Sequence, residues 1–177
     1  MDGIARRTLL LALASLPWAA HAQPAELGGA LPGARLLGQG QLSFFSLEIY
    51  TARLWVTEGF RADDFIAHPV ALELEYARAL VGRQIAERSL VEMKKLGTVP
   101  EAQAAAWLAA MSKAFPDMAK GDRLTGVSRP GAGMRFFFNG KPSGEVAHAD
   151  FARLFLGIWL SRRTSESKLR QALLGMA

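Results

Sequence analysis

The stretch GQLSFFSLEIYTARLWV, residues 40–56, decides the fold. It is dense in aromatic, β-branched and other apolar residues that favour β-strands. It is longer than an ordinary strand, so it predicts two strands or one strongly bent strand. The apolar residues change from one alternating phase to the other along the stretch, and a β-bulge would explain that change.

The segments that follow continue the pattern of strands and helices in runs. Residues 71–77, ALELEYA, alternate apolar and acidic side chains, which is typical of a strand with one exposed face. Apolar spacing and turn residues predict helices over 82–96, from about 99 to 115, around 151–159 and from about 165 to 174, and strands over 122–129, 134–138 and near 145. This order predicts an α+β fold in which an antiparallel sheet is covered on one side by helices.

The start of the chain has the marks of a secretory signal peptide. Arg6-Arg7 precede an apolar run from Leu9 to Ala20, and Ala20-His21-Ala22 offers a small-residue cleavage site. The run is shorter than the roughly 20 residues of a membrane span. Pro17 and Pro24 disfavour the alternative, an N-terminal core helix. We therefore predict cleavage after Ala22 and a periplasmic or secreted protein, with general secretion and twin-arginine export both open.

The signal peptide sets the predicted domain organisation. Residues 1–22 form the signal peptide, and residues 23–33, rich in Gly, Pro and Ala, predict an irregular lead-in. Residues 34–177 then form one domain, which agrees with the size expected from the length. No second long apolar run follows, so the sequence predicts no stable membrane span after cleavage.

Composition narrows the function classes. The chain of 177 residues has no cysteine, so it has no disulfide, no thiolate metal site and no cysteine nucleophile. After cleavage only His68 and His148 remain, and we predict neither a metal nor a cofactor. The cleaved chain carries 19 basic and 15 acidic residues, a net charge of +4. The basic residues form no stripe with interleaved aromatics, so nucleic acid is not a predicted partner.

Polar residues inside apolar segments are the candidates for a site, because the chain has no nucleophile, phosphate-loop or dinucleotide motif. Tyr50 and Arg53 lie in the 40–56 stretch, and Tyr76 ends the alternating strand. Arg88 and Glu92 are four residues apart on a predicted helix. These side chains could line a cleft between sheet and helices. The alternative is structural: Arg88 and Glu92 as a surface ion pair, and Arg53 as a cation at the sheet rim.

Taken in order and spacing, several segments make the chain resemble the chalcone isomerase-like family, in its bacterial, signal-peptide-bearing branch. They are Gly40 to Trp55, Leu74 to Arg78, Ala86 to Ser89, Phe115-Pro116, Gly121 to Leu124, Pro130-Gly131, Phe136 to Gly140, Phe151 to Leu160 and Leu173 to Gly175. The resemblance implies an open-faced β-sandwich, in which a large antiparallel sheet carries a layer of helices and a ligand cleft lies between them.

The resemblance also allows a comparison with the plant enzymes of the family, which close a chalcone into a flavanone. Those enzymes use an arginine, a strand threonine, a helix tyrosine, an asparagine and a later threonine. The corresponding positions here are Gln41 or Arg35, then Tyr50, Ile85, Glu92 and Ile158. Isoleucine can neither donate nor accept a hydrogen bond. Because one lost donor typically costs about 100- to 1,000-fold in rate, we do not expect chalcone cyclisation.

The cleft can persist without that chemistry. Positions 85 and 92 lie two helical turns apart and share a face. The predicted ligand-binding residues are Tyr50, Arg53, Ile85, Arg88, Glu92, Ile158 and Trp159, and no catalytic or metal-binding residue is predicted. Family members without the catalytic set resemble fatty-acid carriers. The leading hypothesis is therefore a non-catalytic binder of a small amphipathic molecule, fatty-acid- or polyphenol-like.

Two other functions stay open at this stage. An enzyme of the isomerase, intramolecular lyase type would use Tyr50 and Glu92 as an acid–base pair, which requires them to be within hydrogen-bond or single-water reach. A partner-binding envelope protein would present a large exposed apolar patch. The negative charge of Glu92 would repel a ligand carboxylate unless Arg88 pairs with Glu92. The sequence defines neither the ligand nor the oligomeric state.

Overall fold

The computed structural model describes residues 22–176. The predicted signal peptide falls on residues 1–22, of which 1–21 lie outside the described residues. Among residues 22–176, no helix is both long and apolar enough to cross a membrane.

A six-stranded antiparallel sheet follows the chain order, each strand pairing with the next. Its strands are β1 (Arg35–Phe44), β2 (Leu47–Val56), β3 (Val70–Tyr76), β4 (Arg123–Arg129), β5 (Gly133–Phe138) and β6 (Lys141–Val146). The 40–56 stretch forms two strands, because a two-residue turn at Phe45-Ser46 divides it. The register shifts between Leu42 and Ser43, at a β-bulge or similar irregularity, whereas the apolar phase changes from Phe44 to Phe45, at the turn.

Four helices cover one face of this sheet: α2 (Gly82–Leu96), α3 (Glu101–Ala114), α4 (Ala149–Leu160) and α5 (Ser167–Leu173). A 3₁₀ segment spans Ala62–Ala67. The core between helices and sheet contains a chain of aromatic contacts through Phe115, Phe136, Phe151, Phe155 and Trp159. The α+β, open-faced β-sandwich prediction is confirmed.

A short helix, α1 (Ala25–Ala30), corrects the prediction of an irregular lead-in. Leu27 of this helix and Leu31 after it are buried against the opposite face of the sheet, with Trp55 and Phe137. Burial of these apolar side chains outweighs the low helix propensity of the two glycines in α1. The second face of the sheet is therefore partly covered as well.

Candidate ligand-binding cavity

A cavity of about 240 Å³ lies between the sheet and the helices α2 and α4. Its apolar walls are Leu42, Ile49, Leu74, Leu80, Val81, Ile85, Phe115, Leu124, Phe155 and Ile158. Its polar lining comes from Tyr50, Tyr76, Gln84, Arg88, Ser89, Glu92, Trp159, Ser165 and Glu166. Mostly apolar walls with a few polar groups are typical of small-molecule sites.

Helix α2 forms one wall because its first residue fits tightly against the loop after α3. The backbone N–H of Gly82 donates to Asp117 Oδ1 at 2.9 Å. A Cβ at position 82 would overlap the backbone oxygens of Phe115 and Pro116. Starting there, α2 presents Ile85 and Ser89, one turn apart, to the cavity. The Ser89 hydroxyl donates to the Ile85 carbonyl at 2.8 Å, so its proton is already engaged.

Tyr50, on β2, supplies a partly buried polar group of the cavity. Trp159 Nε1 donates to the Tyr50 hydroxyl oxygen at 3.0 Å, and within residues 22–176 the Tyr50 hydroxyl donates to no acceptor. Burial raises the pKa of the Tyr50 phenol far above its ordinary value, although the Trp159 hydrogen bond opposes the shift. Tyr50 therefore remains protonated near neutral pH, with an O–H available to a ligand. Tyr76 packs edge-on against it, with ring centres 5.9 Å apart.

Glu92 is a carboxylate at the edge of the cavity whose negative charge is compensated by two neighbouring cations. Arg88 Nη2 and Lys95 Nζ lie 2.7 Å and 2.8 Å from its Oε1, and the Ser165 hydroxyl donates to Oε2 at 3.3 Å. Burial alone would raise the pKa of Glu92, but the Lys95 hydrogen bond and the two cations outweigh burial and lower that pKa. The predicted Arg88–Glu92 pairing therefore exists, and it removes the repulsion that a free Glu92 would exert on an anionic ligand.

Comparison with known proteins shows the family of the chain. A family model described as chalcone isomerase-like matches residues 33–175. The chain belongs to the chalcone isomerase-like family. An uncharacterized protein of Haemophilus influenzae is 26% identical over 139 residues, covering 78% of this chain and 67% of the relative.

The solved structure of the Arabidopsis thaliana fatty-acid binding protein AtFAP1 is similar to this chalcone isomerase-like protein in fold. The TM-score is 0.62 at 14% identity, over 80% of this chain and 87% of AtFAP1. At that identity the likeness concerns the fold.

The cavity of this chalcone isomerase-like protein brings together six of the predicted residues: Tyr50, Ile85, Arg88, Glu92, Ile158 and Trp159. The placement of Arg53 in the same cleft is wrong. Arg53 projects from the opposite face of β2, where its Nη1 lies 3.1 Å from Glu73 and 2.8 Å from Glu75. Side chains alternate along a strand, so positions 50 and 53 face opposite sides.

Other cavity residues were absent from the predicted set. Ser89 could have been found from helical spacing, since it lies four residues after Ile85 and three before Glu92. Tyr76, a cleft candidate from the sequence that stands outside the predicted ligand-binding set, lines the cavity on the inward phase of β3 that it shares with Leu72 and Leu74. Ser165 and Glu166 follow α4 in a connecting segment, and no sequence pattern signals their approach to the cavity.

Tyr50 and Glu92, the predicted acid–base pair, both line the cavity. No hydrogen bond joins Tyr50 and Glu92 among the described residues, since Tyr50 bonds to Trp159 and Glu92 to α2 cations and Ser165. Their pKa values also move away from neutrality, upward for Tyr50 and downward for Glu92. General acid–base catalysis is most efficient with pKa values near the working pH. Over residues 22–176, no group of three or more His, Asp or Glu side chains could hold a metal ion.

Proposed function

We propose that this chalcone isomerase-like protein binds a small amphipathic molecule in the α2–α4 cavity without transforming it. The observation that carries the proposal is an apolar cavity of about 240 Å³ with the free O–H of Tyr50 inside it. This volume is just below the range of about 300–1,000 Å³ of drug-sized ligand sites. A medium-chain fatty acid, or a phenolic compound of similar size, has the matching shape and polarity.

The polar groups support a ligand with one oxygen-bearing end. Tyr50 can donate a hydrogen bond to a carboxyl, carbonyl or hydroxyl oxygen, and its raised pKa keeps that donor protonated. Arg88 borders the same cavity with a largely exposed guanidinium. The apolar walls take up the remainder of the molecule. AtFAP1, a fatty-acid binding protein with a similar fold, supports the same ligand class.

Filling the cavity tests the proposal. The change Ile85→Trp puts a larger side chain into the cavity wall, and we expect the affinity for decanoic acid to fall at least about tenfold, because the ligand loses its space and apolar contacts. Isothermal titration calorimetry measures this affinity on the protein that begins at Gln23, after removal of the predicted signal peptide. The matched control is Val91→Trp, on the exposed face of the same helix, and it should leave the affinity unchanged.

The same titration contains the outcomes that reject the proposal. Decanoic acid binding that is equal in the wild-type protein and in Ile85→Trp would place the ligand elsewhere. If decanoic acid, decanol and a monocyclic phenol such as 4-propylphenol all release no heat, the cavity does not bind a ligand of the proposed class. Far-ultraviolet circular dichroism confirms that both tryptophan variants are folded.

We further propose that the protein is periplasmic or secreted. The proposal rests on Arg6-Arg7, the Leu9 to Ala20 run and the Ala20-His21-Ala22 pattern. We expect the intact mass of the protein isolated from the cell envelope fraction to correspond to a chain beginning at Gln23. A full-length mass together with recovery in the cytoplasmic fraction would contradict this localisation.

A further inference from the structure

The tip of the β1–β2 hairpin, residues 44–47, exposes three large apolar side chains. Phe44, Phe45 and Leu47 are 64%, 85% and 54% exposed. The rings of Phe44 and Phe45 contact each other edge-on, with centres 4.5 Å apart. With Leu47 these rings form an apolar projection. It stays in contact with water unless a partner covers it.

The turn itself does not explain these residue types. Phe45 and Ser46 adopt φ values of +47° and +64°, in the left-handed region. Two-residue turns with positive φ at both positions favour Asn-Gly, and a bulky residue there is strained. Phenylalanine at position 45 therefore costs stability locally, and its benefit must come from something outside the turn.

The hairpin tip lies beside the cavity. Leu42 on β1 and Ile49 on β2 line the cavity, two residues from Phe44 and Leu47 respectively. Val81, exposed at the start of α2, lines the same cavity. The tip is thus close to the cavity along the hairpin, with the polar pair of Ser43 and Glu48 between them.

Charged side chains of both signs lie near the same end of the sheet. Asp122 there accepts hydrogen bonds from the Ala119 N–H and from Asn139, and within residues 22–176 it forms no ion pair. Arg78 follows Ala77, whose N–H donates to the Ile49 carbonyl, and Lys120 precedes Gly121, whose N–H donates to the Tyr76 carbonyl. Within residues 22–176 neither cation forms an ion pair. Glu48, the acidic residue of the hairpin, accepts hydrogen bonds from Gln41 and Thr51. Arg83 at this end is paired with Glu87.

We propose that the hairpin tip inserts into the interface of a lipid bilayer containing anionic lipids and thereby brings the cavity to the membrane surface. A narrow convex tip of aromatic and aliphatic side chains fits a fluid bilayer, which needs no complementary pocket. The unpaired Arg78 and Lys120 are attracted to anionic headgroups. The proposal deepens the proposed function, on which it rests, because a bilayer holds the amphipathic molecules that the cavity would take up.

Vesicle flotation tests the insertion. The processed protein is mixed with phosphatidylcholine vesicles, with and without phosphatidylglycerol, and the bound fraction is measured at several lipid concentrations. The double variant Phe44→Ser/Phe45→Asn removes the apolar tip, and asparagine suits the positive φ at position 45, so the variant folds at least as stably. We expect its partitioning to fall at least about a hundredfold, since each phenylalanine contributes about tenfold or more on leaving water.

The controls separate this inference from ligand binding. Val91→Ser removes an exposed apolar residue away from the tip and should leave flotation unchanged. Added salt should weaken binding to phosphatidylglycerol vesicles. Retained decanoic acid affinity in the double variant shows an intact cavity, so a loss of flotation then reports on the tip alone.

Three results would overturn the inference. The first is flotation that is equal in the wild-type protein and the double variant, and the second is no flotation with any vesicle. The third is sedimentation showing that the tip forms a dimer which the double variant abolishes, without vesicle binding. Failure of decanoic acid to bind, with tip-dependent flotation preserved, would reject the proposed ligand and the role of docking in its uptake, whereas insertion of the tip would still be shown.

Discussion

Replacing Arg53 by alanine is expected to lower the free energy of unfolding by about 3 kcal/mol, measured by urea denaturation. The Arg53 side chain is 10% exposed and that of Glu73 is 5% exposed, so the variant leaves a buried carboxylate without its main cation. Broken buried ion pairs typically cost about 3–5 kcal/mol. We place this one at the lower end because Trp55 Nε1 still donates to Glu73 and Arg123 lies 3.7 Å away.

Two further variants test the explanation. Arg61→Ala removes an exposed cation paired with Asp64 and should change stability by less than about 0.5 kcal/mol. Adding Glu73→Gln to Arg53→Ala removes the stranded charge while keeping an acceptor for Trp55, so the double variant should be more stable than Arg53→Ala alone. If Arg53→Ala weakened decanoic acid binding at unchanged stability, Arg53 would belong to the ligand site, contrary to its position on the opposite face.

The change Gly133→Ala is expected to cost about 3 kcal/mol of unfolding free energy, from two independent effects. Gly133 has φ of +88°, and left-handed backbone costs an L-residue about 1–2 kcal/mol. A Cβ there would also overlap the Val146 carbonyl oxygen and crowd the backbone at His148, where β6 leads into α4. Overpacking of this kind costs about 1–3 kcal/mol.

Gly131 separates these two effects. It lies in the same β4–β5 turn with φ of +74°, and a Cβ there would meet no atom within 4 Å. Gly131→Ala should therefore show only the backbone cost of about 1–2 kcal/mol. Equal losses for the two variants in urea denaturation would mean that the β6–α4 connection moves aside and that the overlap contributes nothing.

Six of the 19 residues that line the cavity could be predicted from the sequence, through the family resemblance and the local periodicities. The helical spacing of Ile85, Arg88 and Glu92 put them on one face of α2, and the structure places all three at the cavity. The long stretch of strand formers contained the β1–β2 hairpin, whose turn no Gly or Asn-Gly signal marked. The prediction failed for Arg53 because side chains alternate along β2, so that Arg53 and Tyr50 face opposite sides of the sheet.

The sequence by itself determined the fold class, which depends on spacing between residues close in the chain. It also determined the family resemblance, from the order of segments along the chain, and through that resemblance the α2 face of the cavity. Only the tertiary structure decided contacts between distant residues. In the folded chain Trp159 hydrogen-bonds to Tyr50, and Ser165 hydrogen-bonds to Glu92. Helix α1 is anchored by Glu26, whose carboxylate accepts hydrogen bonds from Arg123 and Thr125. Such contacts depend on how separate elements pack against each other, and local propensity carries no information about that packing.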